Sequence, residues 1–300
     1  MRIVIGSGLT GLLISERIKP DVILEEQPII GGTHSFEDVF GVKIHLVPPL
    51  VDETISLNNF NLMFKEYDLD IYYRKYEHYK DKICEKCNEL PHWIMMFEKT
   101  RKIYLIENLW EIFENISKKF KIIKEYPIRI NNSKVITNKG NTLKYDILYN
   151  TTSLRRLLKA LNHNITSLRF ISALVILAVT PRKSSDSKWN IYLSGDYADS
   201  FSMIIKFNDI INNYDAYYIY SFFDENKIKQ IDIERVLLDV KRRQIIHPND
   251  IVIIRSKLIS EAILLGEFPD NIENNIINCG RLGEWKNYSI IETIKRIQSC

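Results

Sequence analysis

The sequence predicts an α/β chain: a parallel sheet with helices packed on it, joined to a second, α+β lobe containing an antiparallel sheet. Three observations predict it. A strand, a glycine-rich turn, a helix and a second strand follow one another within the first 25 residues. A strand, another glycine turn and a capped helix occupy 276–297. Between these ends lie apolar runs of strand length, at 170–179 and 216–222.

The opening unit reads Arg2-Ile-Val-Ile5, then Gly6-Ser7-Gly8-Leu9-Thr10-Gly11, then Leu12-Leu13-Ile14. That is an apolar strand, a G-x-G-x-x-G turn and the first turn of an amphipathic helix. Gly6 permits the tight turn, Gly8 lets a pyrophosphate approach the backbone, and Gly11 lets the helix pack on the sheet. Spare N–H groups at the helix start then face the phosphates. The next strand, Asp21-Val-Ile-Leu-Glu25, ends on a carboxylate 19 residues past Gly6. The acid that binds a ribose 2′-OH is expected about 20 residues on. A carboxylate there repels a 2′-phosphate, which favours an unphosphorylated adenosine dinucleotide. With no basic leader and an apolar stretch broken by glycines, the segment reads as a Rossmann-like unit, not a secretory leader.

Glu26 and then Gly31-Gly32-Thr33 follow the second strand. Adjacent glycines remove side chains where backbone must touch a ligand, and they allow positive φ. Further on, 133–140 reads as a hairpin with an Asn-Lys-Gly turn, and 143–150 as a strand leading into Thr151-Thr152. Near the end, Ile276-Ile277 closes a strand and Gly280 and Gly283 form a tight loop. Ser289 with Glu292 then makes a capping box for a helix with Ile290, Ile294 and Ile297 on one stripe.

These segments resemble the FAD-dependent amine oxidase, protoporphyrinogen oxidase and UDP-galactopyranose mutase group. The Gly31-Gly32 loop is similar to the family's loop after the second strand. Gly280-Arg281-Leu282-Gly283-Glu284-Trp285-Lys286 is similar to its C-terminal G-R-x-G/A-x-W/Y-K motif. The resemblance implies a discontinuous FAD-binding domain of residues 1–50, 120–155 and 268–300, with a substrate domain of 51–119 and 156–267. It implies that Gly6, Ser7, Gly8, Leu9, Thr10 and Gly11 hold the pyrophosphate, and that Glu25, beside Glu26, binds the adenosine ribose. Gly31, Gly32 and Thr33 would lie along the ribityl chain and Thr151 near the dinucleotide. Gly280, Arg281, Gly283 and Glu284 would close over the flavin. The catalytic candidates are Arg281, reaching an anionic substrate, and His45, on a segment the family brings to the flavin.

The implied activity is hydride transfer between a small-molecule substrate and flavin N5. A mutase-like isomerase and a non-catalytic scaffold stand as alternatives. Against the mutase, Leu46-Val47-Pro48-Pro49-Leu50-Val51-Asp52 replaces the K-Y-G-x-H-I-F stretch, and Asn287 and Ser289 replace a tyrosine and an acid.

The 300 residues are 45% hydrophobic and carry a net charge of only +3, which argues against nucleic acid as the main partner. The longest apolar run, 170–179, is half the roughly 20 residues a membrane helix needs, so it reads as a buried strand. Four cysteines fit a cytoplasmic chain. Residues 51–120 are expected to be largely helical, with the Tyr72–Lys80 run as an amphipathic helix; a further helix is expected near 233–244. His78, Cys84, Cys87 and His92 admit a zinc site, a disulfide or ordinary packing, with metal the least favoured. Cys279 and Cys300 show no partner.

Overall fold

A parallel sheet of five short strands collects segments from across the chain. The computed structural model describes all residues except 58–59, 132, 164, 183–188, 231, 269–271 and 273–274. The chain starts with β1 (Arg2–Ile5), α1 (Leu9–Ile18) and β2 (Val22–Leu24), followed by the hairpin β3 (Phe36–Val39) and β4 (Val42–His45). Next come β5 (Leu50–Val51), β6 (Phe64–Asp68), β7 (Ile71–Arg74), α2 (Tyr79–Cys84), α3 (His92–Lys99), β8 (Lys102–Ile106) and α4 (Leu109–Ser117). A short strand β9 (Ile122–Ile123) precedes a meander of β10 (Pro127–Asn131), β11 (Lys134–Thr137) and β12 (Thr142–Lys144), then β13 (Ile147–Asn150) and α5 (Leu154–Ala160). Long strands follow at β14 (Arg169–Pro181), β16 (Met203–Ile211) and β17 (Tyr214–Asp224), with the shorter β15 (Ile191–Ser194) between the first two. The chain continues with α6 (Ile233–Arg242), β18 (Ile253–Leu265), β19 (Ile276–Asn278), α7 (Gly280–Gly283) and α8 (Ile290–Ile297).

The parallel sheet has the order β19-β13-β1-β2-β9. One face is covered by α1, α4 and α8, whose Leu12, Phe113 and Ile294 share a core with Val4 and Ile23. The other face packs on the meander and α5 through Ile3, Leu148, Val135 and Leu158. Strands enclosed on both faces need apolar residues at every position, which is why β1 and β2 read as unbroken runs.

The second sheet, β18-β14-β17-β16-β15-β7, is antiparallel except where β7 pairs parallel with β15. One of its inner strands, β14, carries the ten-residue apolar run. Val175, Leu177 and Val179 face a core shared with α2 and α3, and Leu174, Ile176 and Ala178 face the core under α6. That two-sided burial accounts for its unbroken hydrophobicity. Among the described residues no helix is long and apolar enough to cross a membrane.

Three local expectations are corrected. Residues 51–120 are not largely helical, because β5, β6 and β8 form an antiparallel sheet. In the tyrosine run, Ile71–Arg74 is a strand, Lys75 turns the chain at φ +44°, and the α-helix begins only at Tyr79. The spacing of Tyr72, Tyr76 and Tyr79 suits a helix, but Tyr72 pairs with Tyr192 of β15 and Tyr76 stacks on Tyr79. The stretch 143–150 is also two strands, broken at 145–146, where the Asp146 N–H donates to Met1 O at 2.8 Å.

Candidate functional site

A cleft of about 340 Å³ opens where β1 runs into α1. Gly6, at φ +99°, turns the chain out of the sheet and donates its N–H to Leu24 O at 2.7 Å. A Cβ on Gly11 would meet Gly6 O at 2.0 Å, so α1 starts against the strand end, as the motif requires. The Gly31-Gly32 loop is bonded directly onto this turn. Gly31 N–H donates to Ser7 O at 2.8 Å, and a Cβ on Gly8 would sit 3.6 Å from Gly32 Cα. The two glycine motifs thus form a single side-chain-free cradle.

Glu25 is buried at the end of β2. Its Oε2 accepts from both Ser7 N–H and Ser7 Oγ at 2.6 Å, and its Oε1 accepts from Gln27 N–H at 2.7 Å. A carboxylate offers about four acceptor positions, so one remains for a ribose hydroxyl. Beside it, Glu26 pairs with Arg156 of α5.

The end of the chain arrives at the same place. Cys279 N–H donates to Asn150 O at 2.9 Å, and Asn150 Nδ2 donates to Asn278 Oδ1 at 2.9 Å. Gly280, at φ +73°, lies against the start of α1, and a Cβ there would stand 2.3 Å from Thr10 Oγ1. A Cβ on Gly283 would stand 2.4 Å from Asn150 O. The capping box of α8 is formed in both directions, through Glu292 N–H to Ser289 Oγ and Ser289 N–H to Glu292 Oε2. Ser289, Ile290 and Thr293 present this helix start to the cleft.

Of the residues implied to hold a cofactor, Gly6, Gly8, Leu9, Thr10, Glu25, Glu26, Gly31, Gly32, Thr33, Thr151 and Arg281 line the cleft. Ser7, Gly11, Gly280, Gly283 and Glu284 stand behind its wall. Glu284 ties the final loop together, accepting from Gly280 N–H at 3.0 Å, Tyr288 OH at 3.1 Å and Arg296 Nε at 2.8 Å. Arg281 is similarly engaged, because NH1 donates to Ala262 O at 3.0 Å and NH2 to Glu261 O at 2.9 Å. Burial lowers its pKa to about 10, opposed by Glu261. Arg281 therefore remains a cation that clamps β18 to the final motif.

His45 does not reach the cleft. It lies among Phe36, Phe113 and His34, its Nδ1–H donating to His34 O at 2.6 Å and its Nε2 buried without a partner. These contacts are those of a packed, hydrogen-bonded ring outside the cleft lining. Cys300, expected to be unpartnered, donates from Sγ to Glu284 Oε1 at 3.7 Å and to Asn278 O at 3.9 Å, and Cys279 is a buried free thiol.

Polar lining residues that went unmarked in the sequence include His34, Arg156 and Glu261. His34 lies two residues after the glycine pair, and that proximity was the only local signal. Burial lowers its pKa to about 4, against a bond to Val47 O, so it is neutral near pH 7. Glu261 has its pKa raised by burial, opposed by Ser153 Oγ, which donates to it at 2.7 Å. The wall across from the glycines is apolar: Trp93, Met96 and Phe97 of α3, Met203 and Ile205 of β16, and Tyr220 of β17.

The zinc alternative is corrected. Cys84 and Cys87 are joined in a disulfide, His92 Nε2 pairs with Asp52 at 2.7 Å, and the His78 ring lies 5.8 Å from that of Tyr197, tilted by 40°. Among the described residues no group of three or more His, Cys, Asp or Glu side chains could hold a metal. Alkylation of unreduced, denatured protein is expected to label only Cys279 and Cys300, with all four thiols labelled after reduction. Elemental analysis giving one zinc per chain would reinstate the metal.

Taken together, the fold is mixed α/β, with a parallel and a large antiparallel sheet meeting at a glycine-lined cleft. No family model and no curated protein matches the sequence. Solved structures do. A reduced UDP-galactopyranose mutase superposes with a TM-score of 0.69 at 11% identity, over 99% of this chain and 93% of that one. An oxidoreductase from Methanosarcina mazei matches over 100% of both chains, with a TM-score of 0.66 at 10% identity. Putrescine oxidase bound to putrescine matches over 99% of this chain and 97% of that one, with a TM-score of 0.67 at 8% identity.

Proposed function

We infer that the chain binds FAD and is an oxidoreductase acting on a small molecule. The observation that carries this reading is the meeting of three glycine-bearing segments at one cleft: the turn after β1, the Gly31-Gly32 loop and the motif before α8. A cradle a Cβ would fill at Gly8, an acid with acceptor capacity at Glu25 and a helix start at Ser289 fit a dinucleotide that carries a flavin. The division into a FAD-binding domain (1–50, 120–155, 268–300) and a substrate domain accords with the strand order of the parallel sheet. Its boundary is not sharp, since α4, from within 51–119, packs on α1.

Bound FAD would supply the hydride acceptor at N5; the chain supplies position and environment. Gly8, Gly31 and Gly32 admit the pyrophosphate, and Glu25 orients the ribose. The α8 start places partial positive charge along one side of the cleft. Trp93, Phe97, Met203 and Tyr220 exclude water from the facing side. Neutral His34 and buried Glu261 are the groups placed to hold a proton.

The purified protein is expected to show flavin absorption bands and to release FAD on denaturation. A colourless protein that cannot be reconstituted would sink the reading. Anaerobic bleaching by a substrate identifies an oxidoreductase, whereas turnover only after prior reduction, with no change in redox state, would identify an isomerase instead.

A further inference from the structure

The large sheet carries a second concave site on its opposite face. Along β17, Tyr218 and Tyr220 belong to the core on the cleft side, while Tyr217 and Ile219 belong to the core under α6. Where β7 and β15 approach the end of α6, Tyr72, Trp189, Tyr192 and Tyr217 line a pocket together with Arg74 and Arg243. None of these six lines the cleft. Tyr192 lies 4.8 Å from Tyr72, tilted by 34°, and 5.5 Å from Trp189, edge on at 73°.

The two guanidinium groups are fixed from behind. Arg243 donates from Nε to Asp199 Oδ1 at 2.6 Å and from NH2 to Asp196 Oδ2 at 2.9 Å. Arg74 donates from Nε to Asp196 Oδ2 at 3.2 Å. Both aspartates are buried, at 4% and 2% exposure. Lys75 and Arg242 converge on the same pair at 3.1 and 3.2 Å, so four cations meet two acids. Asp239, which also pairs with Arg242, is offset by Lys82 nearby. A network serving only to join α6 to the sheet needs no such excess of positive charge, nor four rings around it. Aromatic faces recognise a flat π system, and guanidinium groups recognise phosphate or carboxylate.

We propose that this pocket binds a flat aromatic anion, its ring against the tyrosines and its phosphate or carboxylate on Arg74 and Arg243. The test uses protein labelled with 5-fluorotryptophan, whose four tryptophans give separable fluorine resonances, that of Trp189 being assigned with Trp189→Phe. AMP, benzoate and uncharged adenosine are titrated in turn. A saturable shift of the Trp189 resonance with AMP or benzoate, absent with adenosine, is expected, and the responding probe tells phosphate from carboxylate. Tyr72 is 45% exposed, so Tyr72→Ser keeps the fold and should weaken that binding by about tenfold, or 1.4 kcal/mol. The proposal is overturned if neither anion shifts Trp189 in the millimolar range, if adenosine binds as tightly as AMP, or if Tyr72→Ser changes nothing. A shift confined to Trp93, which lines the cleft, would overturn it too.

Discussion

Replacing Gly11 by alanine is expected to destabilise the fold by about 3 kcal/mol or more, whereas the same change at Gly8 should leave stability within about 0.5 kcal/mol and weaken FAD binding at least roughly tenfold. The two glycines stand three residues apart in one motif, yet they meet different neighbours. A methyl on Gly11 would stand 2.0 Å from Gly6 O and 2.8 Å from Gly6 C, both backbone atoms that no rotamer change can move. Either α1 lifts from the sheet or β1 bends. For a chain of this size, 3 kcal/mol corresponds to a fall in Tm of roughly 5 °C. Gly8, at φ −77° and ψ −171°, has a conformation open to any residue, and its nearest neighbour, Gly32 Cα, would lie at an ordinary 3.6 Å. Its methyl would instead occupy the cleft. Gly41→Ala is the control for conformation alone, since φ is +79° there and nothing lies within 4 Å. Thermal unfolding and FAD titration of the three variants separate the cases. If Gly8→Ala unfolds like Gly11→Ala while FAD still binds normally, the cradle has been assigned wrongly.

That contrast also shows how much of the site was legible in the sequence. The glycines, Glu25 and the α8 capping box were readable because each depends on local backbone chemistry, which spacing along the chain reports. The apolar run of β14 was legible for a related reason, since burial on both faces leaves no polar alternation. What could not be read depends on contacts between distant residues. Glu261 and Arg156 enter the cleft through the register of β18 and the direction of α5, and neither has a local signal. Arg281 matched its motif, but its commitment to the carbonyls of Glu261 and Ala262 appears only once β18 lies beside it. The tyrosines at 72, 76 and 79 misled because helical spacing coincided with a strand followed by a turn.

His45 should make the fold acid-sensitive, and the sign follows from its surroundings. The ring is 5% exposed among aromatic neighbours, and burial, reinforced by the nearby His34, lowers its pKa to about 3. A carbonyl only accepts, so Nδ1 carries the proton shared with His34 O, and the unpartnered Nε2 is a bare lone pair. In the unfolded chain the same ring titrates near 6.5, so the unfolded state holds more protons between the two values. Stability is therefore complete above pH 6.5 and is lost as pH falls towards 3. Between pH 7 and 5 this one residue should cost about 2 kcal/mol, and His34 acts in the same direction. His45→Asn keeps a donor near the Nδ1 position but does not titrate, so urea unfolding from pH 8 to 5 should show a shallower fall. A wild-type and variant difference that stays constant over that range would refute the account. The consequence reaches the cleft, because Tyr218 OH donates to His45 O at 2.9 Å while His45 holds His34 O, two residues beyond Gly32. Protonating this ring would loosen the Gly31-Gly32 wall of the cradle, so FAD affinity should decline with acid in step with stability.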